Sequence, residues 1–120
     1  VLSGYSHDNR CPRINLKNFN MIPITAAKAI IEELQEKLEK EMKEEFSSHE
    51  FIEKYAYRYE EEYIERLYKH KKDHAFQTVH SQIGRFLSEN QEKLGIEKKQ
   101  RKENLNVFGN ETEVQYWKKK

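Results

Sequence analysis

The chain has 120 residues, of which 36% are hydrophobic and 36% are charged, and its mean hydropathy is −1.08. This length suits one domain, since domains typically hold about 100–150 residues. No apolar run approaches the roughly 18 residues of a membrane span, and the N-terminus lacks the apolar block of a secretory signal. Because Cys11 is its single cysteine, an internal disulfide and a CxxC motif are excluded. These features predict a soluble cytoplasmic protein.

The charges are segregated along the chain. Residues 26–65 carry six basic side chains against thirteen Glu, a net charge of −7, whereas residues 66–85 and residues 93–120 each carry +4. An acidic middle followed by basic segments predicts an anionic partner for the C-terminal half. The alternative is that both sets of charges belong to solvated helix faces.

The N-terminal third combines a polar arm with a first helix. Residues 1–22 lack periodicity, which predicts an irregular arm. Residues 23–46 are expected to form an acidic amphipathic helix that begins at Thr25 as N-cap and runs towards Glu45. Its apolar residues recur every three or four positions on one stripe: Ile30, Ile31, Leu34, Leu38 and Met42. This stripe predicts packing against the domain, or a homo-oligomer formed through residues 26–45.

The second helix has a clear start. Ser47 and Glu50 form a capping box, and Phe46 and Phe51 flank it as a hydrophobic staple. Helical spacing then continues from Phe51 to Leu67. Three tyrosines of this helix share one face and are expected to face the core: Tyr55, Tyr59 and Tyr63.

A third helix is expected from Phe76 to Leu94, with Gly95 as a C-terminal stop and Ile96 folding back. Gly84 inside this helix costs about 1 kcal/mol relative to Ala, which predicts close backbone packing there. His80 is expected to be a hydrogen-bonded core residue. The inward-facing side chains are predicted to be Phe76, Val79, Ile83, Phe86 and Leu87.

After Ile96 the period changes from helix to strand. Residues 105–107 and 112–116 alternate around the pair Gly109-Asn110, which predicts a β-hairpin. A short helix over residues 111–118 is the alternative, and residues 97–102 are expected to form a basic loop. Residues 47–120 are therefore predicted to be a mainly α domain of helices followed by a C-terminal β-hairpin.

The element order is that of a winged helix, and short motifs support the likeness. Ile83-Gly84-Arg85-Phe86-Leu87, Leu94-Gly95-Ile96 and Tyr116-Trp117-Lys118 lie around the basic segment. Over residues 76–118 this pattern resembles the C-terminal winged-helix modules of phage and plasmid replication proteins such as the primase–helicases. The resemblance implies duplex DNA binding by the helix and the wing, and no catalytic activity, since the family's ATPase region has no counterpart here.

Eight side chains are therefore candidates for nucleic-acid binding. The polar face of the third helix supplies Thr78, Ser81, Gln82 and Arg85. Arg and Gln can read base edges, and Ser and Thr can bind phosphate. The basic segment supplies Lys98, Lys99, Arg101 and Lys102, which would make salt-dependent phosphate contacts. The alternative is an ordinary polar helix face in which Arg85 pairs with Glu89.

Metal binding and catalysis are weakly supported. His70 and His74 are four residues apart and could chelate a metal with Asp73 or His80, but flanking lysines disfavour a cation, and we expect no metal or other cofactor. Consecutive carboxylates at 60–62 point in different directions on a helix. Since no phosphate loop or nucleophile motif is present, we expect a non-catalytic DNA-binding protein. The alternative is a helical protein-interaction module that associates through its long Glu/Lys helix.

Overall fold

The computed structural model describes residues 22–120, which form a mainly helical domain with a small antiparallel sheet. The elements of the described chain are α1 (Ile24–Lys40), β1 (Glu45–Ser47), α2 (Ser48–Arg58), α3 (Glu60–Lys69), α4 (Ala75–Glu89), α5 (Gln91–Leu94), β2 (Ile96–Leu105) and β3 (Glu111–Lys119). The predicted mainly α class and the C-terminal β-hairpin are confirmed. The predicted irregular arm lies outside the described residues except for Ile22, which is buried.

Helix α1 buries its apolar stripe inside the domain. The buried residues of α1 are Ala27, Ile30, Ile31, Leu34 and Leu38. The helix begins after Pro23, whose carbonyl accepts from Ala27 N at 3.0 Å, so the predicted Thr25 cap is wrong. It also ends at Lys40 rather than near Glu45, because the chain turns at Met42, with φ 57°, and enters strand β1.

The start of α2 is the capping box predicted from the sequence. Ser47 Oγ accepts from Glu50 N at 3.1 Å, and Glu50 Oε1 accepts from Ser47 N at 2.8 Å. Phe46 and Phe51, on either side of the box, are both fully buried. The two bonds satisfy two backbone N–H groups, one of them at the helix N-terminus, and thereby fix where α2 begins.

The predicted single helix from Phe51 to Leu67 is two helices, broken at Tyr59. Tyr59 has ψ 51°, yet its N–H still bonds to the Tyr55 carbonyl, so the helical path kinks rather than ends. Tyr55 is buried, and Tyr59 and Tyr63 are packed against the core, which confirms the core role of the tyrosine stripe. The same region buries Arg66, whose Nε donates to the Tyr55 hydroxyl at 2.9 Å.

The third predicted helix is also divided. Helix α4 ends at Glu89, and α5 follows it as a single turn. Gly95 has φ 69° in the left-handed region and Ile96 after it is buried, so the predicted stop is confirmed. Phe76 was expected to face inward but is exposed, because α4 begins beyond the edge of the core.

Strand β2 replaces the predicted basic loop. Glu97, Lys98, Arg101 and Lys102 pair with β3. The turn of the hairpin lies at residues 106–110, where Asn106 Oδ1 accepts from Phe108 N and Asn110 N. The sheet order β1-β3-β2 makes β2 an edge strand, exposed along most of its length. An edge strand rich in charge carries no hydrophobic alternation, so its sequence resembles a loop.

Trp117 connects the sheet to the helices. It lies on the central strand β3, opposite Phe46 of β1 and Lys98 of β2, and only 1% of it is exposed. Its indole Nε1 donates to Ser48 Oγ at 2.9 Å. Within residues 22–120, none of the helices is both long and apolar enough to cross a membrane.

Candidate nucleic-acid interface

A groove of about 680 Å³ separates α4 from the β2–β3 hairpin, with the start of α2 at its base. Besides Phe76 and His80, five α4 residues line it, and they recur at helical spacing and therefore share one face: Gln77, Ser81, Gly84, Arg85 and Ser88. The hairpin contributes Lys98, Arg101 and Gln115 to the opposite wall. The groove is thus built from the polar face of α4 and one face of the sheet.

Two cations from β2 reach this groove because of a β-bulge. Lys98 and Arg101 are three positions apart and would lie on opposite faces of a regular strand. The ladder register shifts between them, so Lys98 pairs with Trp117 and Arg101 with Gln115, which are two positions apart on β3. Both cations consequently lie on the same side of the hairpin.

Arg85 has no acidic partner among the described residues. Its side chain is exposed, and within residues 22–120 it forms no ion pair, so the predicted alternative pairing with Glu89 is not observed. Arg101 Nε lies 3.3 Å from Glu113 Oε1, and Lys98 Nζ lies 3.4 Å from Ser88 Oγ. Exposed contacts of this kind contribute little to stability, so these side chains can exchange them for a ligand at low cost.

The other four candidate residues do not line this groove. Thr78 Oγ1 donates to the Asp73 carbonyl at 2.7 Å, and Gln82 is half-buried. Lys99 Nζ lies 3.4 Å from Glu97 Oε1. Only four of the eight candidates therefore line the groove, because residues of one helix point in different directions and successive strand residues alternate between the two sides of the sheet.

Lys102 marks the opposite side of the hairpin. Its Nζ lies 3.0 Å from Glu45 Oε1 and 4.7 Å from the Tyr116 ring centroid. A second groove lies there, lined by Lys102 and Lys43 together with four acidic residues: Glu44, Glu45, Glu50 and Glu53. The α4 groove instead has three cations and one carboxylate, that of Glu113. The hairpin therefore separates a basic groove from an acidic one.

Gly84 lies in the basic groove rather than in a helix contact. Among residues 22–120, a Cβ added there would meet nothing within 4 Å beyond the backbone of its own helix, so the predicted close packing is not found. Glycine in a helix interior costs about 1 kcal/mol relative to alanine, and no packing among the described residues offsets that cost. The absence of a side chain keeps the middle of this helix face open between Ser81 and Ser88.

Two exposed aromatic residues line the groove beside the hairpin turn. Phe76, at the start of α4, and Phe108, in the hairpin turn, have ring centroids 4.8 Å apart at an interplanar angle of 71°. The rings are 48% and 52% exposed, respectively. The sequence alone does not indicate this pair, because Phe76 fits the apolar period of α4 and Phe108 lies in the predicted turn between the two strands.

His80 lies behind the aromatic pair and is held neutral. Its Nε2 shares a hydrogen bond of 2.7 Å with the Tyr63 hydroxyl, which confirms the expected hydrogen-bonded role. Burial, with a smaller contribution from His49, lowers the pKa of His80 to about 4. Burial also lowers the pKa of His49 and raises the pKa of the Tyr63 hydroxyl.

The histidines weighed as metal ligands are not on a common helix. α3 ends at Lys69 with His70 as its C-cap, and His74 precedes α4 in a left-handed conformation with φ 53°. No cluster of three or more His, Cys, Asp or Glu side chains suited to a metal ion is found within residues 22–120.

Comparisons of the chain with protein-family models, with curated proteins and with solved structures find no match. The groove itself is therefore the basis for assigning a function.

Proposed function

We propose that this protein binds nucleic acid, with duplex DNA as the ligand, through the exposed face of α4 and the β2–β3 hairpin. The observation that carries the proposal is the convergence of Arg85, Lys98 and Arg101 on one groove, together with the absence of an acidic partner for Arg85 within the described residues. Phosphate contacts from cations supply most of the affinity of such proteins.

The topology supports a winged-helix interpretation. A short strand after the first helix pairs with the second strand of a C-terminal hairpin, and the longest of the helices after β1 precedes that hairpin. In winged-helix domains this late helix enters the major groove and the hairpin contacts the adjacent backbone. Fold likeness alone does not establish function, so the chemistry of the groove has to carry the argument.

The side chains of the groove are suited to two kinds of contact, with bases and with phosphates. Arg85 projects from the middle of the α4 face, where a guanidinium can bond to guanine O6 and N7. Lys98 and Arg101 lie on the hairpin wall and are suited to phosphates, with Ser81 as a further donor on α4. Gly84 beside Arg85 allows a close approach of the ligand, since no side chain stands there.

The two faces of β2 offer a matched test. We expect the variant Lys98→Ala/Arg101→Ala to bind duplex DNA at least tenfold more weakly and to reduce the slope of log K against log salt by about two units. The control variant Lys99→Ala/Lys102→Ala removes the same number of charges from the same strand, but from side chains that lie outside the basic groove.

Fluorescence anisotropy titrations at several salt concentrations measure both quantities. The proposal fails if the wild-type protein does not bind duplex DNA at about 50 mM salt, where phosphate contacts are strong. It also fails if the two double variants lose affinity equally, since the loss would then reflect net charge rather than the groove.

Self-association is the second candidate function, although not through α1, whose apolar stripe is buried within the chain. The α2–α3 segment exposes Tyr57, Ile64 and Tyr68 along one stripe. Acidic residues 60–62 lie at one end of α3 and basic residues 69–72 follow the other, so two copies packed antiparallel would match opposite charges.

This second function predicts a dimer that depends on Ile64. Sedimentation velocity should give a dimer for the wild-type chain and a monomer for Ile64→Glu, because a carboxylate would be desolvated in the contact. Met42→Glu is the control, since Met42 is an exposed apolar residue on another surface. A wild-type monomer at all concentrations, or equal dissociation by both variants, would exclude this surface.

A further inference from the structure

The aromatic pair Phe76–Phe108 sits where the groove opens at the hairpin turn. About half of each ring is exposed, and neither residue belongs to the buried core cluster. Exposed aromatic rings beside cations are the typical equipment of proteins that stack on nucleobases. The two rings are therefore suited to a ligand with a flat, apolar face.

The ring of Phe108 is the outer member of a set of nearly parallel rings. Tyr63 and His80 have centroids 6.0 Å apart at 18°, and His80 and Phe108 have centroids 6.0 Å apart at 19°. Tyr63 and His80 are anchored by their mutual hydrogen bond. The position of Phe108 is thus supported from within the domain while half of its surface remains in solvent.

The distance along α4 relates the aromatic pair to the cations. Phe76 and Arg85 are nine residues apart, which corresponds to about 13 Å along a helix axis. Stacked nucleotides rise about 3.4 Å each, so this distance equals roughly four base steps. One nucleic acid lying in the groove can contact the aromatic pair and the cations together.

We propose that Phe76 and Phe108 stack on an unpaired base, so that the preferred ligand is duplex DNA that ends in a single-stranded extension. This inference rests on the proposed function, in which the cations hold the duplex. Inside a continuous duplex both faces of every base are covered by its neighbours, and at a blunt end only the outer face of a complete base pair is free, so an exposed ring reaches a single base only where that base is unpaired.

The test compares two ligands of the same sequence. One is a blunt duplex of roughly 20 base pairs, about two helical turns, and the other carries in addition an unpaired extension of roughly four nucleotides, the distance between the aromatic pair and Arg85. We expect the wild-type protein to bind the extended duplex at least about fivefold more tightly, the lower end of what stacking on one base contributes. A 2-aminopurine base in the extension should change its fluorescence on binding.

Two variants separate stacking from a structural role of the ring. Phe108→Ala and Phe108→Leu should both abolish the preference for the extension, so that the blunt and the extended duplex bind each variant with equal affinity. Leucine retains apolar packing against Phe76 and His80 but has no aromatic face. Leu105→Ala is the matched control, because Leu105 is 54% exposed on the same hairpin and lines the acidic groove instead.

The outcomes are distinguishable. Equal affinity of the wild-type protein for the two ligands overturns the stacking inference and leaves the proposed duplex binding intact. An equal loss for both ligands in the Phe108 variants overturns it too, since the ring would then only hold the hairpin in place. Binding to neither ligand refutes the proposed function itself.

Discussion

Replacing Trp117 with alanine should lower the free energy of unfolding by about 3–5 kcal/mol, the usual cost of removing a buried aromatic side chain. The indole is almost fully buried on the central strand β3, opposite Phe46, and it packs in the core formed by the helices. Its removal leaves a cavity at the junction of the sheet with α2. The measurement is urea denaturation followed by circular dichroism, with the slope of the transition as a check on two-state behaviour.

The polar end of Trp117 is tested separately. Trp117→Phe keeps most of the apolar contact but removes the donor to Ser48 Oγ, whereas Ser48→Ala removes the acceptor. A double-mutant cycle of the two should give a coupling energy of about 1 kcal/mol. Leu105→Ala, on the exposed edge strand, is the control and should change stability by less than about 0.5 kcal/mol. A loss below about 1 kcal/mol in Trp117→Ala would contradict the central position of the indole.

The features that sequence reasoning predicted correctly are local. The Ser47–Glu50 capping box and the Gly95 stop depend on residues within one turn of each other, so their geometry follows from the sequence alone. The buried stripe of α1 and the tyrosine stripe of α2 and α3 followed from helical periodicity. These signals are strong because each residue type has one favourable position in the local structure.

The features that were missed depend on tertiary contacts. Strand β1 is three residues long and exists because Phe46 lies opposite Trp117, 71 positions later in the chain. Strand β2 has almost no buried residue, since it forms the sheet edge. Its charged sequence therefore lacks the apolar alternation that indicates a strand. No proline or glycine marks the kink at Tyr59.

The sequence predicts the helix and the hairpin that form the candidate site, but it does not predict which of their side chains line the groove. The expected helix and hairpin do form the groove, and Ser81, Arg85, Lys98 and Arg101 line it. The division of the basic segment between two grooves could not be read from the sequence, because it depends on where the ladder register shifts. A bulge leaves no compositional signal in a strand made of Lys, Arg, Gln and Glu.

Acidification should destabilise the domain through His80. The pKa of His80 is lowered to about 4 from an ordinary value of 6.5, mainly by burial, so the folded state favours the neutral ring. Well above pH 6.5 the ring of His80 is neutral in both the folded and the unfolded state, and the full stability is present. As the pH falls from 6.5 towards 4, the imidazole of His80 is protonated in the unfolded chain but stays neutral in the folded chain, and stability is lost.

The amount of stability lost on acidification depends on how far the His80 ring is exposed to solvent. His80 is only partly buried, and screening by water reduces the penalty, so we expect a loss of about 1–2 kcal/mol from His80 between pH 7 and pH 4. The titratable groups around the His80 ring either add to this loss of stability or leave it unchanged. His49, whose pKa is also lowered, adds a loss of the same sign, and the Tyr63 hydroxyl remains neutral over this range because its pKa is raised.

The difference between two variants isolates the contribution of His80 from that of the carboxylates, which titrate in the same range. His80→Gln can keep a hydrogen bond to Tyr63 but has no charge to gain, so its stability should fall less steeply with pH than that of the wild-type chain. His74→Asn is the control, since His74 is exposed before α4 and asparagine tolerates its left-handed backbone. Parallel stability curves for the wild-type chain and His80→Gln would contradict the assignment, because a ring that accepts a proton equally well in both states contributes no dependence on pH.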